Sequence, residues 1–282
     1  MQSNNQHSQE LLEKTFGRVQ LHRQIGINIE RYSTNKQNIY QLALKPLSYN
    51  QQIKILDIGC GYGRFSGNLK SVSGATGSHC TGIDLVSANR EPFLEMIMQT
   101  GLKGKYISGQ ANQITDFPNK EYDLILSGFS LNFFPDILSD IARIIKPTGF
   151  FIAITHSNRF LEELEEDINN AIGPMDGWDF HLPAIEFSSE NGHCLLSEYF
   201  ESVEQIDYPN KLVFPWRQID ECLMYIDFKL PFLIKPGQVP ELKSYDEFAA
   251  ELHRQIRRKT RANHYYYLNK DDCIFRCKNP RE

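Results

Sequence analysis

Several things are scarce or missing in this chain. Its six cysteines, Cys60, Cys80, Cys194, Cys222, Cys273 and Cys277, form no C-x-x-C pair and fall at no metal-ligand spacing. Reduced thiols are therefore expected, rather than a disulfide frame, and no metal site is expected. No stretch approaches the roughly 18–20 apolar residues of a membrane span. The polar start M-Q-S-N-N-Q-H-S-Q-E lacks the apolar core of a secretory signal. These absences lead us to expect a cytoplasmic protein with no membrane partner. Positive charge is not in excess either, because 30 Lys and Arg stand against 35 Asp and Glu, a formal net charge of −5. Such a balance gives no overall drive toward nucleic acid or an anionic surface. Internal repeats and long linkers are also absent, so 282 residues read as one large domain, or one domain with a lid.

What is present centres on residues 53–65, I-K-I-L-D-I-G-C-G-Y-G-R-F. Ile53, Ile55, Leu56 and Ile58 form a short apolar run, as expected of a strand buried on both faces of a parallel sheet. Gly59, Gly61 and Gly63 follow at alternate positions, and a new apolar pattern begins at Phe65 and Leu69. Strand, glycine loop and helix are expected in that order. The loop is not the G-x-G-x-x-G of a dinucleotide site, because Arg64 stands where the last glycine would fall. Asp57 sharpens the distinction. A carboxylate at the lip of the loop would repel a pyrophosphate but would suit a ligand carrying an ammonium and a sulfonium. S-adenosylmethionine is such a ligand.

Further runs follow in order. Cys80-Thr81-Gly82-Ile83-Asp84-Leu85 ends in an acid about twenty residues beyond the loop, where a Rossmann-like sheet places a carboxylate for ribose hydroxyls. Then come Tyr106-Ile107-Ser108-Gly109-Gln110-Ala111, the stretch E-Y-D-L-I-L-S-G-F-S-L-N-F-F-P-D that begins at Glu121, and I-I-K-P-T-G-F-F-I-A-I that begins at Ile144. Together with D-I-G-C-G-Y-G, these motifs resemble the class I S-adenosylmethionine-dependent methyltransferases, in particular the branch of small-molecule methylases, over about 38–155. The resemblance implies an α/β fold: a Rossmann-like, seven-stranded, mostly parallel sheet with helices on both faces and one antiparallel strand at the end. It also implies S-adenosylmethionine as cofactor. Asp57, Gly59, Gly61, Leu85 and Ser127 would line its site, Asp84 would hold the ribose, and Gln110 with Ala111 would hold the adenine. Two positions depart from the family. Gln110 replaces an acid that often reaches the adenine amino group, although its amide oxygen can still accept that bond. Asn132 stands where many members have a histidine, which removes one potential general base.

The remaining organisation is expected as follows. Residues 1–37 form a polar tail and a helical lid, with Gly17 and Gly26 interrupting the helices. Thr34 and Gln37 would make a capping box for the next helix. In the resembled family such helices cover the cofactor, so Tyr32, at the junction, would donate its hydroxyl toward the methionine carboxylate. Residues 38–282 form the methyltransferase domain, with substrate-cap segments at 156–190 and 211–265. Within them, 160–172 reads as an acidic helix and 175–187 as an aromatic loop carrying Trp178, Phe180 and His181. Ser244 and Glu247 would cap a helix whose Tyr245, Phe248, Ala249, Leu252 and Ile256 form one apolar stripe. Segments 202–208 and 272–278 would supply the last two strands.

Methyl transfer needs alignment and exclusion of water more than aggressive acid–base chemistry, and a base only where the nucleophile must lose a proton. His156, directly after the fifth strand, is the candidate catalytic base; as a plain polar strand cap it would carry no chemistry. The acceptor is expected to be a small molecule or short peptide methylated on O or N. Two other readings stay open. The basic run Arg254, Arg257, Arg258, Lys259 and Arg261, followed by Tyr265-Tyr266-Tyr267, would serve an RNA methyltransferase, or it is the solvated face of the 244–263 helix. The fold would also serve a protein that binds the cofactor without catalysis.

Overall fold

The computed structural model describes residues 10–172, 186–234 and 244–281. The strand expected first forms as β1 (Lys54–Ile58), flanked by the parallel β2 (His79–Asp84) and β4 (Tyr122–Gly128). β3 (Lys103–Ser108) extends the sheet beyond β2, and β5 (Ile145–His156) extends it beyond β4. Two later strands, β6 (Phe200–Tyr208) and β9 (Asp272–Pro280), complete a seven-stranded sheet ordered β3-β2-β1-β4-β5-β9-β6. β9 runs antiparallel to both β5 and β6. β1 is central because both of its faces are apolar. Ile55 packs into one core layer, whereas Leu56 and Ile58 pack into the layer on the opposite face.

Over the carboxyl ends of the strands lies a cap with a hydrophobic core of its own. It joins α2 (Val19–Tyr32), α6 (Glu162–Ile172), α8 (Ile219–Leu233) and α9 (Tyr245–Asn263) to a separate two-stranded sheet. That sheet pairs β7 (Lys211–Pro215) with β8 (Tyr265–Asn269). The Ser244 capping box is formed, and Phe248, Leu252 and Ile256 bury one stripe of α9, as its spacing demands.

The entry to the cap departs from expectation. A helix at 10–16 (α1) does end at Gly17, but α2 runs unbroken through Gly26. Gly26 serves close approach: a Cβ there would stand 2.8 Å from the Tyr62 hydroxyl and 3.0 Å from Arg64 Nη1. The cap of α3 (Ile39–Leu44) is Asn38, whose side chain accepts from the Tyr40 and Gln41 N–H groups. Thr34 is taken by the other partner it meets in the fold, donating from Oγ1 to Asn210 Oδ1 at 3.3 Å and accepting from Lys211 N–H. The aromatic loop expected at 175–187 lies outside the described residues up to position 185, and His181 with it.

Candidate functional site

The carboxyl ends of β1, β2, β4 and β5 open under the cap into a cleft of about 790 Å³. In open α/β sheets this is where ligands bind. Its floor is the glycine loop. Gly59 and Gly61 hold φ of 67° and 51°, a region that favours glycine. At Gly59 the reason is internal, since a Cβ would stand 2.4 Å from the Ser130 side chain. At Gly61 a Cβ would meet nothing nearer than His22 Cε1 at 3.9 Å, so the space above its backbone is open.

Asp84, at the end of β2, is fixed by backbone donors. Oδ2 accepts from Gly61 N–H at 2.8 Å, and Oδ1 accepts from Val86 N–H at 2.9 Å. Burial raises its pKa, against the pull of these donors and of Asn89. A carboxylate oxygen accepts more than one hydrogen bond, so Asp84 retains capacity toward the cleft. Leu85, Gln110 and Ala111 line the same end. Beside them, Asn89 has a buried Oδ1 without a protein partner among the described residues.

Asp57 also lines the cleft, but the Ser66 hydroxyl on the far side of the loop donates to it. Burial pushes its pKa up to about 7; Ser66 opposes the rise and the Asp84 charge adds to it. The group ties the two ends of the loop together. Ser127 is fully buried, shares a 2.7 Å hydrogen bond with Ser130, and lies behind the lining of the cleft. It reaches the site only through Ser130. Tyr32 is likewise outside the lining. Its hydroxyl donates to Glu221 Oε2 at 2.8 Å and its ring packs 4.5 Å from that of Phe214, so the donor expected to reach the methionine carboxylate is engaged away from the cleft.

The tyrosines that do line the cleft are Tyr40, Tyr62 and Tyr208, and the Arg64 guanidinium lies 5.4 Å from the ring centre of Tyr40, on α3. Arg64 Nη2 donates to the Gly26 carbonyl at 3.0 Å and to Glu30 Oε1 at 2.9 Å. Tyr40, Arg64 and Gly26 lie on three segments and carry no local signal. His22, from α2, stacks on Phe228 and meets Tyr62 edge-on, with a buried Nδ1 that has no partner among the described residues. Burial, then the charges of Lys229 and Arg64, bring its pKa down to about 3.

His156 closes the β5 end. The antiparallel register places it opposite Asp272 of β9, and its Nδ1 lies 2.6 Å from Asp272 Oδ1. Lys270 Nζ donates to the other oxygen, Oδ2, at 2.5 Å. The imidazole is sandwiched between Phe160, parallel at 3.8 Å, and Phe129, at 4.6 Å. Burial, with the Lys270 charge, brings its pKa down to about 3 despite Asp272. It is neutral at physiological pH and a weak base.

The basic run of α9 is largely compensated. Arg254 pairs with Glu251, Arg257 with Asp220 and Lys259 with Asp167. It stands outside the lining of the cleft.

Known proteins share this architecture. Residues 56–153 match the methyltransferase domain family. The chain is 30% identical over 119 residues to a probable chloroplastic tocopherol O-methyltransferase of Oryza sativa subsp. japonica, covering 40% of this chain and 32% of that one. It is also 30% identical over 106 residues to a ubiquinone biosynthesis O-methyltransferase of Maricaulis maris, covering 36% and 40%. The matches thus span about a third of the length of these relatives. The crystal structure of a putative methyltransferase from Bacillus halodurans superposes with a TM-score of 0.53 at 13% identity, over 86% of this chain and 99% of the other, which shows the shared fold. Among the described residues no helix is long and apolar enough to cross a membrane. Sheet order and glycine loop agree with that match: residues 56–153 form a methyltransferase domain of the class I S-adenosylmethionine-dependent type.

Proposed function

We propose that this chain moves a methyl group from S-adenosylmethionine to an oxygen of a small-molecule acceptor. The observation that carries the reading is one continuous cleft: the glycine loop and Asp84 lie at one end, and an aromatic chamber around His156 lies at the other. The two relatives named above, both O-methyltransferases, favour oxygen.

The residues fit the cofactor. The space over Gly61, the lone-pair capacity of Asp84 and the unpartnered Asn89 Oδ1 offer room and polar groups where a nucleoside would lie. Asp84 would hold the ribose, Gln110 with the Ala111 backbone would hold the adenine, and Asp57 would act by holding the loop. Tyr40 and Arg64 would take the methionine end assigned from sequence to Tyr32. When bound, the cofactor supplies a methyl carbon on a sulfonium; an acceptor oxygen bonds to it as the carbon–sulfur bond breaks and its electron pair stays on sulfur. The chain's own contribution is alignment and the exclusion of water. Residues 10–37 would act as a lid, since Phe16, His22, Ile25 and Ile29 all line the cleft. With Nδ1–H donated to Asp272, His156 would present Nε2 to the acceptor and orient it.

Isothermal titration with S-adenosylhomocysteine, followed by incubation of metabolite extracts with isotopically labelled cofactor, tests the proposal. Label in a small molecule is the expected result. Label entering only RNA, or no binding of S-adenosylhomocysteine, overturns it.

A further inference from the structure

Charge in the cleft is almost fully accounted for. Arg64 pairs with Glu30 at 2.9 Å, and Lys270 pairs with Asp272. Asp57 is bound by Ser66, and Asp84 by backbone N–H groups. Lys36 donates to the Arg31 carbonyl at the exposed rim. Asp136 also lines the cleft without an ion pair among the described residues, so the cation left over is Lys229, projecting from α8. It lines the cleft, yet among the described residues it forms no ion pair and no hydrogen bond. Its ammonium lies instead 5.6 Å from the ring centre of Phe160 and 5.8 Å from that of Phe228. Burial and the nearby Lys270 charge lower its pKa to about 8, with Asp272 opposing, so at neutral pH it still carries its proton. A half-buried, uncompensated cation is unfavourable, and a site keeps one where a ligand supplies the counter-charge.

The neighbours of Lys229 define the rest of that ligand. Phe160 covers one face of His156 and Phe129 the other. Phe228 and Phe232 of α8 line the same chamber with Phe133. Apolar, ring-lined walls around one free ammonium suit a flat hydrophobic body with a single negative oxygen group. We infer that the acceptor is a small aromatic oxyanion, a carboxylate or phenolate, and that Lys229 is the residue that binds its charge. This rests on the methyltransferase reading and narrows its substrate class. It also agrees with the weak basicity of His156, because an acceptor that arrives already deprotonated needs no base.

The test measures binding to the full chain saturated with S-adenosylhomocysteine, by ligand-observed NMR and calorimetry. Benzoate and 4-nitrophenolate represent the two oxyanion types, and benzamide is the neutral counterpart of benzoate. At least one anion should bind, and more tightly than benzamide; which one binds better distinguishes carboxylate from phenolate. Lys229→Met, which keeps the stem and removes the charge, should weaken anion binding about ten- to hundredfold. Lys229→Arg should restore most of it, and both variants should keep their S-adenosylhomocysteine affinity, which also reports correct folding. Equal affinity for benzoate and benzamide, no binding of either anion, or anion binding unchanged in Lys229→Met overturns the assignment. Failure of S-adenosylhomocysteine to bind the unaltered chain would instead strike the methyltransferase reading itself.

Discussion

Asp57 is a buried acid in the loop that defines the site, and its ionisation should be visible in the stability of the protein. Burial is the main cause of its elevated pKa; the Asp84 charge adds to it and the Ser66 donor holds it back. A rise from 3.8 to about 7 corresponds to about 4 kcal/mol at about 1.4 kcal/mol per pH unit. Between these two values the folded chain keeps the proton and the unfolded chain has lost it. The folded state therefore binds more protons there, and unfolding free energy must fall as pH rises through the window. The penalty is complete above pH 7 and absent below about 4. Asp57→Asn keeps an oxygen to accept from Ser66 but cannot ionise. Urea unfolding of both proteins at steps from pH 4 to 8 isolates the effect from Asp84 and other titrating groups. The stability of the natural chain minus that of the variant should fall by up to about 4 kcal/mol across the range. A difference that stays constant with pH would refute the reasoning and show Asp57 to be solvated or permanently compensated.

Three further outcomes are expected. Asp84→Ala should weaken S-adenosylhomocysteine binding by about 1.5–3 kcal/mol, the scale of a hydrogen bond to a charged group; unchanged affinity by calorimetry would remove the ribose assignment. Gly61→Val would place a branched side chain, at positive φ, in open space above the loop, so cofactor affinity should fall much further than the melting temperature. Loss of stability with cofactor binding intact would count against that site. Tyr32→Phe should cost about 0.5–1.5 kcal/mol of stability through the lost bond to Glu221 and leave S-adenosylhomocysteine affinity unchanged, whereas weaker cofactor binding would return Tyr32 to the site.

The part of the site built from neighbours in sequence was legible. The loop is a local object: an apolar strand, three glycines and a helix start must lie together whatever the rest of the chain does. Asp84 was legible for a related reason, since consecutive parallel strands joined by a short crossover pair side by side, and here β1 and β2 do so in register. The α9 cap and stripe were readable because a capping box and a 3.6-residue period are short-range patterns. Gly26 and Tyr32 were misread because local rules treat glycine as a breaker and a junction aromatic as a free donor. Contacts from distant segments decided otherwise: Arg64 and Tyr62 need the space above Gly26, and Glu221 takes the Tyr32 hydroxyl.

Sequence alone thus determined the first strand, its glycine loop and the acid that ends the second strand, because each follows from hydrophobic periodicity and turn chemistry within about thirty residues, while the seven-stranded sheet followed from the family resemblance. Tertiary structure alone decided the end of the cleft around His156. His156 and Asp272 are 116 residues apart and meet only through the antiparallel register of β5 and β9. Tyr40 meets Arg64 by the packing of α3 beside the loop, and Lys229 enters the cleft only because α8 folds back over the sheet as part of the cap. An ammonium on a helix looks the same in sequence whether it faces water or a ring-lined chamber. Its meaning is set by which charges surround it, and that is a property of the folded chain.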